Sequence, residues 1–381
     1  MEETLQLEMV KTLGIPIVNE RRRYWFVRTV GGQYREEFID EKFIGINWND
    51  FSDIDSLKRC KDDVEHKISL RDQLAETFDG NIKKAGRILG QITRFVYEMR
   101  KGDVVIIPTE NSTKITFGII ESDLYIEQFT SDKLEELRQE GKCDYLKRRK
   151  VNWVKTVYRE NLDPVLYNMC RAHQTISCCD EYDMNIDRLL EPIYFKNGKV
   201  YFTVRVNQAN DIKAYDMYSL YGMAYDVLKI DKDSVLSKVN VQSPGVLQWI
   251  SEHPEEIVIM VLAVMFFIGG TISFSDGKIE AVELPGILHW FIKNKKLNNE
   301  QEIEQLKIEK ESELKNKKLD YEYALQNRII DLEQMRLTAM IEKDSAEVTE
   351  LKEKLDEYKD VFERLEISVD QGILQGILEE K

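Results

Sequence analysis

Cysteine is scarce in this 381-residue chain and forms no pattern: Cys60, Cys143, Cys170, Cys178 and Cys179 are an odd set without regular spacing. That argues against a disulfide framework and suits a reduced compartment. An excess of positive charge is also missing. With 54 Lys and Arg against 69 Asp and Glu, the net charge is -15. Broad coating of nucleic acid is therefore not expected, although a local basic patch can still bind phosphate. The histidines His66, His173, His253 and His289 are scattered, and there is no Walker-type loop, GxGxxG or HExxH. Cys170-Arg-Ala-His173 followed by Cys178-Cys179 lacks paired zinc knuckles, so neither a metal nor a cofactor is expected. The first residues show no basic-then-apolar leader, which points to a cytoplasmic placement.

What the chain does contain is a succession of short apolar strands. Residues 1–19 read as a helix ending near Gly14-Ile15-Pro16. Arg21-Arg-Arg-Tyr-Trp-Phe-Val-Arg28 reads as a strand with basic flanks, Gly31-Gly32 as a turn, and Phe43-Ile-Gly-Ile-Asn-Trp48 as a second strand. Two helical stretches fill 55–101, the second with Ile88, Ile92, Phe95, Val96 and Met99 at helical spacing. Val104–Ile107, ended by Pro108, pairs with Ile115–Ile120 as a hairpin. A charged helical segment near 131–140, a strand from Arg148 to Val157 and a last one at Thr175–Cys179 complete the pattern. Short strands with one helical insertion make 20–180 a small mixed barrel.

The order of these motifs resembles the PUA-like barrel of the EVE type found at the N-terminus of Mrr-like restriction proteins. The residues that carry it are Tyr24-Trp-Phe-Val-Arg28 with Gly31-Gly32 and Glu36-Glu37-Phe38, then Gly45-Ile-Asn-Trp48 and Gly90-Gln-Ile-Thr-Arg-Phe-Val96. It continues through Lys101-Gly-Asp-Val-Val-Ile-Ile-Pro108, Gly118-Ile-Ile-Glu-Ser122 and Arg148-Arg-Lys-Val-Asn-Trp153. The resemblance implies a nucleic-acid reader, often of a modified base held in an aromatic pocket. Such a site needs flat aromatic faces, hydrogen-bond partners for the base edge and cations for phosphate. The inventory is present: Trp48 and Trp153, with Asn47 and the triplet Arg148-Arg149-Lys150, and Trp25 beside Arg21–Arg23 and Arg28. Core tryptophans and solvated strand ends are the alternative for the same residues. The nuclease domain that follows the barrel in Mrr-like proteins has no equivalent here. Asp40-Glu41-Lys42 lies inside the barrel and lacks a matching upstream acid.

Beyond the barrel, residues 181–242 read as a small α+β unit. Its hairpin turns at Asn197-Gly198, and a tyrosine-rich helix follows from Ala214 to Ile230. Residues 243–296 hold the longest apolar run, Ile257–Ile268, bracketed by Ser243-Pro-Gly-Val-Leu-Gln-Trp-Ile250 and Leu284-Pro-Gly-Ile-Leu-His-Trp-Phe-Ile292. Both brackets read as short helices, with Trp249 and Trp290 where interfacial anchors would sit. Twelve apolar residues span only about 18 Å, so membrane association through 257–274 is one reading and a helix buried in protein is the other. The first is favoured because the flanking segments are too small to wrap an all-round apolar helix. Between the brackets, Gly269–Glu280 reads as a hairpin. From 297 to 381 the chain reads as a coiled coil, with a helical hairpin folding back on the chain as the alternative. Its seam is Val348, Leu351, Leu355, Tyr358, Phe362, Leu365 and Val369, preceded by Leu325, Leu332, Met335 and Ala339.

The expected protein is thus α+β: a small mixed PUA-like barrel, a small α+β segment, one apolar membrane helix and a C-terminal coiled coil. Its expected role is that of a membrane-associated sensor of nucleic acid or a nucleotide-like ligand in a restriction-like defence, forming homo-oligomers through 325–369. The alternatives are a non-catalytic scaffold, or a nuclease with an unrecognised active site.

Overall fold

The computed structural model describes residues 6–268 (apart from 8, 12–14, 209, 224, 226–229, 232 and 241–244), the strand residues 274–275 and 278–279, and 346–368. The chain divides into two compact units, Arg21–Ile186 and Met1–Glu20 with Asp187–Lys381.

The unit at 21–186 is a half-barrel with a helical insertion. Its strands are β1 (Tyr24–Val27), β2 (Phe43–Ile46), β3 (Val104–Pro108), β4 (Lys114–Ile120), β5 (Tyr125–Ile126), β6 (Lys147–Tyr158) and β7 (Ile176–Cys178). They lie in the order β2-β6-β4-β3-β1-β7, with β5 also on β6. β1 runs parallel to β3 and antiparallel to β7. Every residue of β1 and β3 is buried, which is why both read as continuous apolar runs rather than alternating ones. Helix α1 (Arg35–Asp40) follows the Gly31-Gly32 turn. The insertion supplies α2 (Ile54–Arg59), α3 (Val64–Glu76) and α4 (Ile82–Thr93), and α5 (Ser131–Gln139) follows later. Asp53, Asp63, Asn81 and Thr130 cap α2 to α5, each side chain accepting from a backbone N–H of the first turn. α4 ends in a π-helical turn, Arg94–Glu98. One hydrophobic core lies beneath the sheet and another among α2, α3 and α4, and Trp48 and Leu124 pack against both.

One glycine matters for the sheet. At Gly118 the register of β4 against β6 shifts, and an added Cβ would lie 2.5 Å from Val151 Cγ1 and 2.6 Å from Trp153 Cε3. Gly118→Ala is therefore expected to destabilise this unit by about 1–3 kcal/mol through overpacking. Urea unfolding followed by circular dichroism measures it, and an unchanged midpoint would contradict the close approach.

The second unit is built on a five-stranded sheet. Its strands are β8 (Ile193–Lys196), β9 (Lys199–Val206), β10 (Val235–Asn240), β11 (Gly245–Ser251) and β14 (Ile367–Ser368), in the order β10-β11-β9-β14 with β8 also on β9. Helix α6 covers Asp183–Leu190. The N-terminal segment joins β8 through a bridge from Ile17 to Phe195. A small strand pair, β12 (Phe274–Ser275) with β13 (Lys278–Ile279), occupies the stretch read as a hairpin.

Three sequence readings are corrected here. Ser243–Ile250 is not a short helix: Gly245–Ser251 is strand β11. Leu247 and Trp249 recur at a spacing of two and enter the core opposite Val204 and Phe202. Trp249 is 1% exposed and stacks on Phe202 at 5.7 Å between ring centroids, so it is no interfacial anchor. The second correction concerns the apolar run. It forms α8 (Pro254–Ile268), 15 residues long, which at 1.5 Å per residue falls short of a ~30 Å hydrocarbon core. Among the described residues no helix is long and apolar enough to cross a membrane. Ile257, Ile259, Met260 and Val264 are buried in one core with Val204 and Trp249 on the sheet and Leu220 on α7 (Ala214–Gly222). From Ile257 to Val264 every described side chain is buried, so the apolar run is a buried helix there.

The apolar run has a cover within its own chain. Helix α9 (Ala346–Leu365) folds back as the cover of α8. Tyr358, Phe362 and Leu365 of the seam join the same core as α8, with Val361 beside them. Arg364 fastens α9 to α7 by donating from Nη2 to Asp216 Oδ1 at 2.7 Å, and Asp216 is 2% exposed. β14 then pairs Ile367 with Val206 on the edge of β9. Of the seam, Tyr358, Phe362 and Leu365 thus pack within their own chain. Leu325, Leu332, Met335 and Ala339, and Trp290 with the short helix read from Leu284 to Ile292, lie outside the described residues.

Candidate ligand loop and the buried basic run

The residues that suggested a base-binding pocket do not come together. Ile46 pairs with Lys147 and Phe43 with Lys150, so Trp48 sits at one end of the β2–β6 ladder. Trp153 sits beyond the other end, about 20 Å of strand away at 3.3 Å per residue. Its indole Nε1 donates to Phe38 O at 2.8 Å, and its half-buried ring packs on the sheet core. Trp25 is fully buried. Its Nε1 donates to Asp103 Oδ2 at 2.9 Å, and the Arg23 guanidinium lies 4.2 Å from the ring centroid. Arg28 is engaged as well, donating to Ala172 O and Cys170 O at 2.8 Å each.

The basic run Lys147–Lys150 turns out to be an internal carbonyl-binding device. Lys147, Arg148 and Arg149 are 0%, 4% and 2% exposed. Lys147 Nζ donates to Trp48 O at 2.7 Å. Arg148 donates from Nε to Tyr145 O and from Nη2 to Cys143 O, and its guanidinium lies 3.9 Å from the Phe43 ring centroid. Arg149 reaches Phe95 O, Val96 O and Ser122 O, and so closes the π-helical turn, whose carbonyls lack regular α-helical partners. Burial pulls the Arg149 guanidinium down to about 10 and the Lys147 ammonium down to about 8, the latter against the opposing pull of Asp50. Only the Lys150 side chain is exposed, and its backbone N–H donates to Ser122 Oγ at 2.8 Å.

What remains as a site is the loop after β2. Trp48 has φ 65°, a left-handed conformation that costs a bulky residue roughly 1–2 kcal/mol. Three contacts hold it there. Its N–H donates to Asn47 Oδ1 at 2.6 Å, and its carbonyl accepts from Lys147 Nζ at 2.7 Å and from Phe51 N at 3.0 Å. Asn49 anchors the loop to the start of β6, donating from Nδ2 to Asp144 O and accepting from Leu146 N. Ser52 Oγ donates to Asn49 O at 2.6 Å. The Asn47 side chain is exposed and the Trp48 ring is half-buried, with Phe51, Ile54 and Leu124 packed on the same helical core. Asn49, Ser52 and Lys147 are absent from the sequence inventory. Their only signal there is a polar stretch after a strand and a lysine that opens a basic run.

Residues 26–178 match the domain of unknown function DUF8426. No curated protein and no solved structure matches the chain.

Proposed function

We propose that residues 21–186 bind a nucleic-acid base or a nucleotide-like ligand at the Asn47–Trp48 loop. The observation that carries this is the left-handed Trp48, whose strain three hydrogen bonds maintain at an exposed loop. A half-buried indole with an exposed amide beside it offers a stacking face and a hydrogen-bonding edge. The resemblance to PUA-like readers supports the same ligand class and extends it to a restriction-like defence. Charge does not oppose it: residues 21–186 hold 28 Lys and Arg against 29 Asp and Glu. The chain's acidic excess lies in the other unit.

The test is fluorescence anisotropy with labelled single- and double-stranded oligonucleotides, with and without modified bases, across a salt series. Trp48→Ala is expected to weaken binding by about 10-fold or more, the worth of one stacked base, measured where the variant is still folded, since the ring also packs on the two cores. Trp153→Ala, at the far end of the ladder, is expected to lower stability and spare affinity. Absence of salt-dependent binding by the wild type, or equal affinity in Trp48→Ala, would overturn the reading. A stability loss in Trp48→Ala without an affinity loss would make the ring a wedge between the two cores.

A further inference from the structure

We infer that Lys147 is a positioning residue for that loop, fixing Trp48 in its left-handed conformation so that the indole is presented before a ligand arrives. This rests on the reading of Trp48 as the ligand-facing ring. Lys147 is the first residue of β6 and is paired with Ile46, two residues before Trp48. Its Nζ is 2.7 Å from Trp48 O and 3.3 Å from Ser52 Oγ, so one ammonium grips both ends of the loop. Ser52 in turn donates to Asn49 O, which makes the grip continuous through the middle. A side chain needed only for volume at a fully buried position would be apolar, since burying an ammonium is costly. Here that cost is borne where a charge-assisted donor meets the carbonyl of a strained tryptophan.

The groups around it leave few other roles. β2 and β5 present Ile46 and Ile126 to Lys147 in register, and neither titrates. Arg148 and Arg149, its neighbours on β6, spend their guanidinia on Tyr145, Cys143, Phe95, Val96 and Ser122 carbonyls. The acid acting on it is Asp50, exposed on the same loop. Deprotonation of Lys147 would therefore be felt first at Trp48 and Ser52.

The deciding measurement needs no ligand. In ¹H–¹⁵N spectra of the full chain, the Trp48 indole resonance is assigned by its loss in Trp48→Phe and followed from pH 6 to 10. In the wild type it is expected to shift with a midpoint near 8. In Lys147→Met it should be displaced or broadened and independent of pH, with the Trp25 and Trp153 resonances in place. A Trp48 resonance that is the same in Lys147→Met as in the wild type would overturn the assignment. Should Lys147→Met not fold, the wild-type titration decides alone, and no inflection anywhere between pH 6 and 10 overturns it. With the labelled oligonucleotides as probe, Lys147→Met should weaken binding about 10-fold, the worth of the stacked ring. Failure of the wild type to bind them would sink the proposed function and leave the titration to judge Lys147.

Discussion

Arg149→Ala is expected to lower the stability of the 21–186 unit by about 3–5 kcal/mol, a large part of a typical domain's ~5–15 kcal/mol. The guanidinium is 2% exposed and donates to three different backbone carbonyls, two of them in the π-helical turn. Alanine would leave those buried carbonyls without their donor and a void against the Phe95 ring, which lies 5.7 Å from the guanidinium carbon. Arg149→Met, which refills the volume, should recover only part of the loss. Lys150→Ala, one residue on and exposed, should cost less than about 0.5 kcal/mol. Chemical unfolding of the three variants measures this. A phosphate-binding Arg149 would give the opposite pattern, with stability kept and oligonucleotide affinity lost.

Lys147 adds a dependence on pH whose sign is fixed. Its folded value is depressed to about 8 from 10.5. Between those values the unfolded chain binds more protons than the folded one, so this group's contribution to stability grows as pH rises from 8 to 10.5. Below 8 both states hold the proton and the penalty of burying the charge is constant.

Much of the barrel unit is legible from local signals. β1, β3 and β4 are short apolar runs bounded by turn residues, and α4 shows its buried Ile88 and Ile92 at helical spacing. The base-binding inventory is legible only as residue types. Nothing in Lys147-Arg-Arg-Lys150 says that three of its side chains will curl onto backbone carbonyls: those of the π turn and the Trp48 loop come from distant parts of the chain, and those of Cys143 and Tyr145, five and three residues before Arg148, carry no side-chain signal. The same non-locality hides the second unit. An apolar run looks like a membrane helix when its cover is about 90 residues away, and α8 is covered in part by Phe362 and Leu365. A heptad-like spacing records that one face of α9 is buried. It does not record against what.

That distinction makes Phe362 decisive. Phe362 is 2% exposed, between Val361 at 0% and Leu365 at 0%, in the core that holds Ile257, Met260 and Trp249. Phe362→Asp would put an unpaired carboxylate there, at a cost of several kcal/mol or a forced opening of α9. The expected result is loss of the cooperative transition of the second unit, seen as a red shift and quenching of Trp249 fluorescence and rapid cleavage within 254–268 by limited proteolysis. Phe362→Ala should cost about 3–5 kcal/mol at the same site by leaving a cavity. A coiled-coil seam between copies makes a different prediction: Phe362→Asp would then give a smaller but fully folded species on size-exclusion chromatography, with Trp249 still buried. That outcome would return α9 to the role of an oligomerisation helix and leave α8 without its cover. The alternation of Leu247 and Trp249 on β11, and their register with Val204 and Phe202, builds one wall of the core around α8. Phe362 and Leu365 close another, and a wall that closes a core cannot be exchanged for solvent without opening it.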